Sequence, residues 1–192
     1  MTTIGLVRHG VTDWNLEGRA QGQHDIPLNE EGIRQARLLG ERLAQEHWDY
    51  IYTSDLARAS RTAEIIAEAM GMKVTGYDAR LREKSHGDLD GTTEEERIER
   101  WGPNWREIDH GEETLQDVLR RSLSFMKEIT VKHPEDRVLV VSHGAWIRAT
   151  MGELIRDREI SKLSNTSICV LQHTEENWSC LLYNCTRHLE AR

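Results

Sequence analysis

The run Val138-Leu139-Val140-Val141 contains no polar residue and follows the charged stretch Glu135-Asp136-Arg137. Four β-favouring residues without alternation read as a strand covered on both faces, the position of a central strand in a largely parallel sheet. A second short run, Ile4-Gly5-Leu6-Val7, reads as another buried strand. The pattern around them alternates strand and helix, which predicts helices on both faces of the sheet.

The remaining elements follow from spacing and caps. Gly10 to Leu28 reads as a long polar loop. Asn29 is an N-cap candidate for a helix to about Gln45, with Ile33, Ala36, Gly40 and Leu43 inward. Tyr50 to Tyr52 is a second strand, and a helix follows from about Leu56 to Met70. Lys73 to Tyr77 is an edge-strand candidate. A short helix is expected over Thr93 to Trp101. Thr114-Leu115-Gln116-Asp117 resembles a capping box opening a helix to about Lys132, with Leu115, Val118, Leu119, Ser122, Phe125, Met126 and Ile129 inward. Ala145 to Arg156 is a further helix. Ser167 to His173 and Trp178 to Asn184 form an antiparallel hairpin around Glu175-Glu176-Asn177. The expected fold is a three-layer α/β/α sandwich with a mostly parallel central sheet and an antiparallel C-terminal edge. Residues 1–192 are expected to form one domain, because Pro and Gly are sparse and no linker divides the chain.

Composition narrows the function classes. The net charge of −8 disfavours binding to nucleic acid or to an anionic membrane surface. No apolar run approaches the roughly 20 residues of a membrane span. Ile4 to Val7 is too short for a signal peptide, so a cytoplasmic location is expected. Cys169, Cys180 and Cys185 make an odd count without a Cys-x-x-Cys pair, which reads as three reduced thiols.

Chemistry concentrates at strand ends. The first strand ends Arg8-His9-Gly10 and the central one Ser142-His143-Gly144, while the second runs through Ser54-Asp55-Leu56-Ala57 to Arg58. In open α/β sheets, ligands bind outside the carboxyl ends of the strands. Arg58 would stand in a first helical turn, where the backbone already favours anions. A lone histidine after a strand is ordinarily structural, and an arginine in a first turn is ordinarily solvated. Two His-Gly strand ends with a strand-end arginine point to a functional site, with metal binding as the rival use of the paired histidines. There is no His-Glu-x-x-His, and the first carboxylate after His9 is Asp13.

Arg8-His9-Gly10 after an N-terminal strand resembles the signature of the histidine phosphatase superfamily, in its phosphoglycerate-mutase-like branch of small broad-specificity phosphatases. The resemblance continues in order through Asn15, Gly22, Asp25, Pro27-Leu28 and Gly32. It then runs through Ser54 to Ala59 with Thr62-Ala63, and through Leu81-Arg82-Glu83 with Gly87 and Gly91. Gly111-Glu112, Ser142-His143-Gly144 and Asn165 complete it. It implies a phosphomonoester hydrolase working through a phosphohistidine, with no cofactor and no metal. His9 would be the nucleophile. Arg8, Arg58 and His143 would surround the phosphoryl oxygens, and Glu83 would be general acid and then base. Asn15, Gln21, Gly22 and Gly144 would be further substrate contacts.

The chain departs from the family pattern at Val11, where a polar residue is frequent, and at Lys84-Ser85-His86, where apolar residues are frequent. His86 is therefore a candidate titrating or specificity residue. Arg97, Arg100 and Arg106, interleaved with Glu94, Glu95, Glu96 and Glu99, read as a solvated helix face. Trp14, Trp101, Trp105 and Trp146 read as core or cleft wall rather than as a base-stacking platform. The alternatives are a phosphoglycerate-mutase-type transferase and a non-catalytic phospholigand-binding protein. The short segment from Ala79 to Gly111 offers only a modest lid, which favours hydrolysis. The expected partner is a small-molecule phosphate ester, and a homodimer is the expected assembly.

Overall fold

The computed structural model describes residues 1–156, 158–175 and 177–190. In chain order the elements are β1 (Thr2–Arg8), α1 (Asp13–Glu17), α2 (Glu30–Leu43), β2 (Tyr50–Thr53), α3 (Ala57–Ala69) and β3 (Gly76–Tyr77). After them come α4 (Glu94–Trp101), α5 (Leu115–Lys132), β4 (Arg137–Ser142), α6 (Gly144–Leu154), β5 (Ile168–His173) and β6 (Trp178–Cys185). The strands form one sheet in the order β3-β2-β4-β1-β5-β6. The first four in that order are mutually parallel, and β5 and β6 run antiparallel at one edge. This is the expected mixed sheet with its antiparallel C-terminal edge.

The absence of alternation in β4 has a direct cause. Val138 and Val140 enter the core shared with Phe125, Met126, Trp146 and Ile147 from α5 and α6. Leu139 and Val141 enter the opposite core, with Leu39, Leu43, Ala63 and Ile66 from α2 and α3. All four are fully buried, so each face of the strand must be apolar.

Asn29 caps α2 by accepting from the Gly32 N–H, as its position predicts. The inward stripe of that helix runs through Ala36, Leu39, Gly40 and Leu43, with Ile33 half-buried at its margin. Thr93 and Glu96 close a reciprocal capping box on α4. The Thr114 motif closes only one way. Its hydroxyl accepts from the Asp117 N–H, but the shorter Asp carboxylate reaches that hydroxyl rather than the Thr114 backbone. Leu115, expected inward, is exposed at the first position of α5.

Two boundaries differ from expectation. The loop after His9 contains α1, capped by Thr12 and Asn15; five residues are too few to show a helical period. The strand expected over Lys73 to Tyr77 shrinks to Gly76–Tyr77, because only Tyr52 and Thr53 of β2 offer it a register. In the β5–β6 turn, Thr174 donates its N–H to the Asn177 carbonyl, while Glu176 lies outside the described residues. Cys169, Cys180 and Cys185 stand on these two strands. Among the described residues, no helix is long and apolar enough to cross a membrane.

Candidate active site

The site begins with strand register. Arg8 of β1 lies beside Ser142 of β4, so His9 and His143 leave adjacent parallel strands together. The His9 N–H donates to Ser142 O at 3.0 Å, and the Ser54 N–H donates to Val141 O at 3.0 Å. Three chain segments thus exit at one carboxyl edge, and the two imidazole rings stand 5.2 Å apart. Arg58 follows in the first turn of α3, as expected.

Glu83 reaches the same edge by a different route. Ser142 Oγ donates to Leu81 O at 2.7 Å, drawing the preceding segment onto β4. Arg121 of α5 donates to the carbonyls of Arg80, Arg82 and Glu83 and pairs with Glu113 at 2.8 Å. The Glu83 carboxylate then accepts from the N–H groups of Lys84, Ala145 and Trp146 at 2.8, 3.1 and 3.0 Å. Two of those donors belong to the first turn of α6, where the helix dipole favours a negative group.

The His9 side chain is held as a neutral imidazole. Its Nδ1 lies 2.6 Å from the Gly10 carbonyl oxygen. A carbonyl only accepts, so Nδ1 carries the proton and Nε2 keeps its lone pair. Burial, and then the charges of Arg58 and Arg8, hold the imidazole well below its ordinary 6.5, against the opposing effect of the Gly10 bond.

The tautomer of His143 follows from counting donors. Its Nε2 lies 2.8 Å from Ser54 Oγ, which also accepts from the Leu56 N–H at 3.3 Å. Ser54 is fully buried. Were Nε2 the donor, the Ser54 hydroxyl proton would have no acceptor. The arrangement that satisfies every group has Ser54 donating to Nε2, which leaves the proton of His143 on Nδ1. Burial, followed by Arg58, His9 and Arg8, keeps this ring well below 6.5 too.

The arginines are held at one side of the guanidinium and open at the other. Arg8 Nη1 donates to Leu163 O. Arg58 donates to His24 O at 2.6 Å and to Gly22 O at 2.7 Å. Burial lowers both, Arg58 to about 10, with Glu83 opposing; both stay charged at neutral pH. Arg8 Nε, Arg58 Nε and His143 Nδ1 are buried and have no partner among the described residues. Three unsatisfied donors grouped around one neutral imidazole match the several oxygens of a phosphoryl group.

Arg8, His9, Asn15, Gln21, Gly22, Arg58, Glu83 and Gly144 line one cleft of about 350 Å³, and His143 stands behind it, fully buried. Asn15 Oδ1 accepts from Thr12 N and from Asn165 Nδ2, and its amide nitrogen has no partner among the described residues. Gln21 Oε1 accepts from the Thr12 hydroxyl at 2.8 Å. Gly22 serves chiefly through its carbonyl on Arg58. Its φ of +50° and the Asp90 carboxylate, 2.2 Å from where a Cβ would sit, require glycine there. Gly144 lets Arg8 approach, since a Cβ would stand 3.2 Å from Arg8 Nε.

The cleft also holds side chains that the sequence pattern did not single out, among them Arg19, Arg148 and Lys162. Arg19 is tied to Glu17 and Glu96. Arg148 and Lys162 are exposed. Arg97, expected on a solvated face, is half-buried at the cleft and donates to Thr92 through Nε and Nη2, both at 2.8 Å. His86 lies in the cleft wall, 3.4 Å from the Glu112 carboxylate. Trp14 lines the cleft and Trp146 is core, as expected for wall and core tryptophans.

The family model of the histidine phosphatase superfamily (branch 1) matches residues 4–186. The chain is 40% identical to the "uncharacterized phosphatase PhoE" of Bacillus subtilis (strain 168), over all of this chain and 98% of that one. It is 34% identical to the metal-independent phosphoserine phosphatase of Arabidopsis thaliana, over all of this chain and 84% of that one. Among solved structures, it resembles mycobacterial glucosyl-3-phosphoglycerate phosphatase in complex with VO3. The TM-score is 0.84 at 32% identity, covering 95% of this chain and 98% of that one.

Proposed function

The chain belongs to the histidine phosphatase superfamily (branch 1) and is a phosphomonoester hydrolase; we propose that His9 is its nucleophile and Glu83 its proton carrier. The carrying observation is the neutral His9, its Nε2 lone pair free, among the unpartnered donors Arg8 Nε, Arg58 Nε and His143 Nδ1. Nε2 attacks phosphorus while the ester P–O bond breaks. The departing oxygen takes a proton from Glu83, giving an alcohol and a phosphohistidine. Water then attacks the phosphohistidine, Glu83 takes its proton, and inorganic phosphate leaves with His9 restored. Phosphoryl transfer chiefly needs positioning and charge stabilisation, which Arg8, Arg58 and His143 supply without a metal.

The substrate is a small phosphorylated metabolite. A cleft rich in arginine on a chain of net charge −8 suits a compact anion, because salt screens the distant acidic surface within roughly 8 Å. A cytoplasmic location and a homodimer are the matching expectations, read by cell fractionation and by light scattering. The mechanism is tested by rapid quench with a ³²P-labelled ester. An acid-labile, base-stable phosphoprotein is expected, absent from His9→Ala. Full turnover in His9→Ala would remove His9 from the mechanism.

A further inference from the structure

The two peptide units that follow His9 are each held by a side chain from a different helix. The His9–Gly10 unit donates its N–H to Thr62 Oγ1 of α3 at 3.0 Å. Its carbonyl, on His9, accepts from Asn165 Nδ2 at 3.0 Å and from the Thr166 N–H at 3.3 Å. The Gly10–Val11 unit donates its N–H to Gln35 Oε1 of α2 at 3.3 Å. Its carbonyl, on Gly10, is the group that lies 2.6 Å from His9 Nδ1. A peptide unit is planar, so fixing its N–H also fixes the direction of its carbonyl.

Thr62 and Gln35 are buried, and neither lines the cleft. The Thr62 hydroxyl donates its one proton to Arg58 O at 2.7 Å, so toward Gly10 it can only accept. One oxygen therefore ties the chain after His9 to the helix that carries Arg58. That chain has no room to move toward α2 instead. A Cβ on Gly10 would stand 2.6 Å from Gly32 O, so the two backbones are already in contact there.

We propose that Thr62 and Gln35 are positioning residues for His9, holding the two peptide units after it so that the Gly10 carbonyl keeps the proton on Nδ1 and leaves Nε2 to the phosphoryl group. The inference rests on the reading of His9 as nucleophile. Neither side chain touches the substrate; each acts on the backbone against which the imidazole is braced. Without Thr62 Oγ1 the Gly10 N–H is a buried donor with no acceptor, and the unit turns to find another. Turning it displaces the next unit, and the Gly10 carbonyl leaves Nδ1. The ring then loses the acceptor that selects its tautomer and fixes its direction. Asn165 holds the opposite end of the first unit, but it also bonds Asn15 Oδ1 in the cleft, so its loss would not report on His9 alone.

Three variants test this. Thr62→Val keeps the branched shape and removes the oxygen, while Thr62→Ser keeps the oxygen and removes a methyl. Gln35→Met removes the acceptor of the second unit at similar length. The measurements are the stopped-flow rate of His9 phosphorylation by p-nitrophenyl phosphate, calorimetric binding of inorganic phosphate, and nitrogen-15 spectra of histidine-labelled protein. Thr62→Val should slow phosphorylation by roughly tenfold or more, as expected for a displaced reacting group, and move the His9 signal from the Nδ1–H form toward a mixture. Gln35→Met should do the same more weakly, since its bond is longer. Thr62→Ser should restore most of the rate. Phosphate binding should change little and the His143 signal should stay, because Arg8, Arg58 and His143 are held by other bonds. A wild-type His9 signal in both Thr62→Val and Gln35→Met would overturn the proposal, whatever the rate. So would a Thr62→Ser as slow as Thr62→Val, a loss of phosphate binding to match the loss of rate, or movement of both histidine signals, each of which means loosened packing. A shifted His9 tautomer with unchanged ester turnover would keep the positioning and defeat the reading of His9 as nucleophile.

Discussion

The Oε1 oxygen of Glu83 accepts a 3.0 Å hydrogen bond from the backbone N–H of Trp146. Oε1 also takes the Lys84 N–H, while Oε2 takes only that of Ala145. Oε2 is therefore the oxygen with a lone pair to spare, and the one that can carry a proton to a leaving group. An alkoxide leaves poorly without that proton and a nitrophenolate leaves without help. A positioned general acid contributes roughly 10²–10⁴-fold.

Glu83→Gln should accordingly slow phosphorylation of His9 severely for alkyl phosphates and far less for p-nitrophenyl phosphate. The Gln amide can keep its carbonyl on the Lys84 and Trp146 N–H groups, while the Ala145 N–H loses its acceptor. Dephosphorylation should slow for both esters, because water still needs a base. Stopped-flow release of nitrophenol should then show a burst ahead of free phosphate. Equal slowing of phosphorylation for both esters, without a burst, would reduce Glu83 to a pocket-shaping residue and turn attention to His86 and Glu112.

How much of this was legible in the sequence depends on how local each cause is. The strand ends at His9 and His143 were readable because burial of β1 and β4 on both faces writes itself as unbroken apolar runs. The Asn29 cap was readable for the same reason, since its partner is three residues away. The Ser54 hydrogen bond to His143 joins residues 89 apart in sequence, and no pattern within either segment announces it. Arg97 was misread because its exposed neighbours dominate the charge pattern of α4, while its own side chain folds back on Thr92. The short helix α1 was lost because five residues cannot show a period.

Turnover should be indifferent to EDTA and inhibited by vanadate. In the proposed mechanism the charge facing the phosphoryl group comes from Arg8 and Arg58, and vanadate would adopt the five-coordinate geometry of the transition state on His9. Arg58→Lys keeps a charge but gives up the planar fork now shared between Gly22 O, His24 O and the cleft. It should weaken vanadate inhibition and lower kcat/KM by at least tenfold. Loss of activity in EDTA with recovery on adding zinc or magnesium would contradict this account of the charge.

Stability should fall as the solution is acidified below pH 6.5. His9 and His143 are held well below 6.5 in the fold, chiefly by burial and then by Arg58, and burial takes His188 to about 4. In the unfolded chain these rings regain their ordinary value, so below it the unfolded state binds protons that the folded state refuses. Their contribution is complete above 6.5 and is lost as pH falls toward the folded values. Each such ring contributes a slope of up to about 1.4 kcal/mol per pH unit in that window. Urea midpoints between pH 7.5 and 5.5 should drop accordingly, and His9→Ala should flatten the curve. A flat wild-type curve would mean that these rings protonate freely in the folded protein.

Ser54 should act on catalysis through the tautomer of His143. Its hydroxyl donates to Nε2 and so keeps the proton on Nδ1, which is buried and has no partner among the described residues. Ser54→Ala removes that donor, and a neutral His143 then has no reason to keep Nδ1 protonated. One charge-assisted hydrogen bond to a phosphoryl oxygen is worth roughly 1.5–3 kcal/mol, so kcat/KM should fall by about ten- to a hundredfold. Nitrogen-15 spectra of histidine-labelled protein separate this effect from loosened packing. In the wild type both His9 and His143 should show the Nδ1–H form. In Ser54→Ala the His9 signal should stay and the His143 signal should shift toward the Nε2–H form. A wild-type His143 already protonated on Nε2 would make Ser54 an acceptor, and the third oxygen of the phosphoryl group would need another donor, with the Asn15 amide in the cleft lining a candidate.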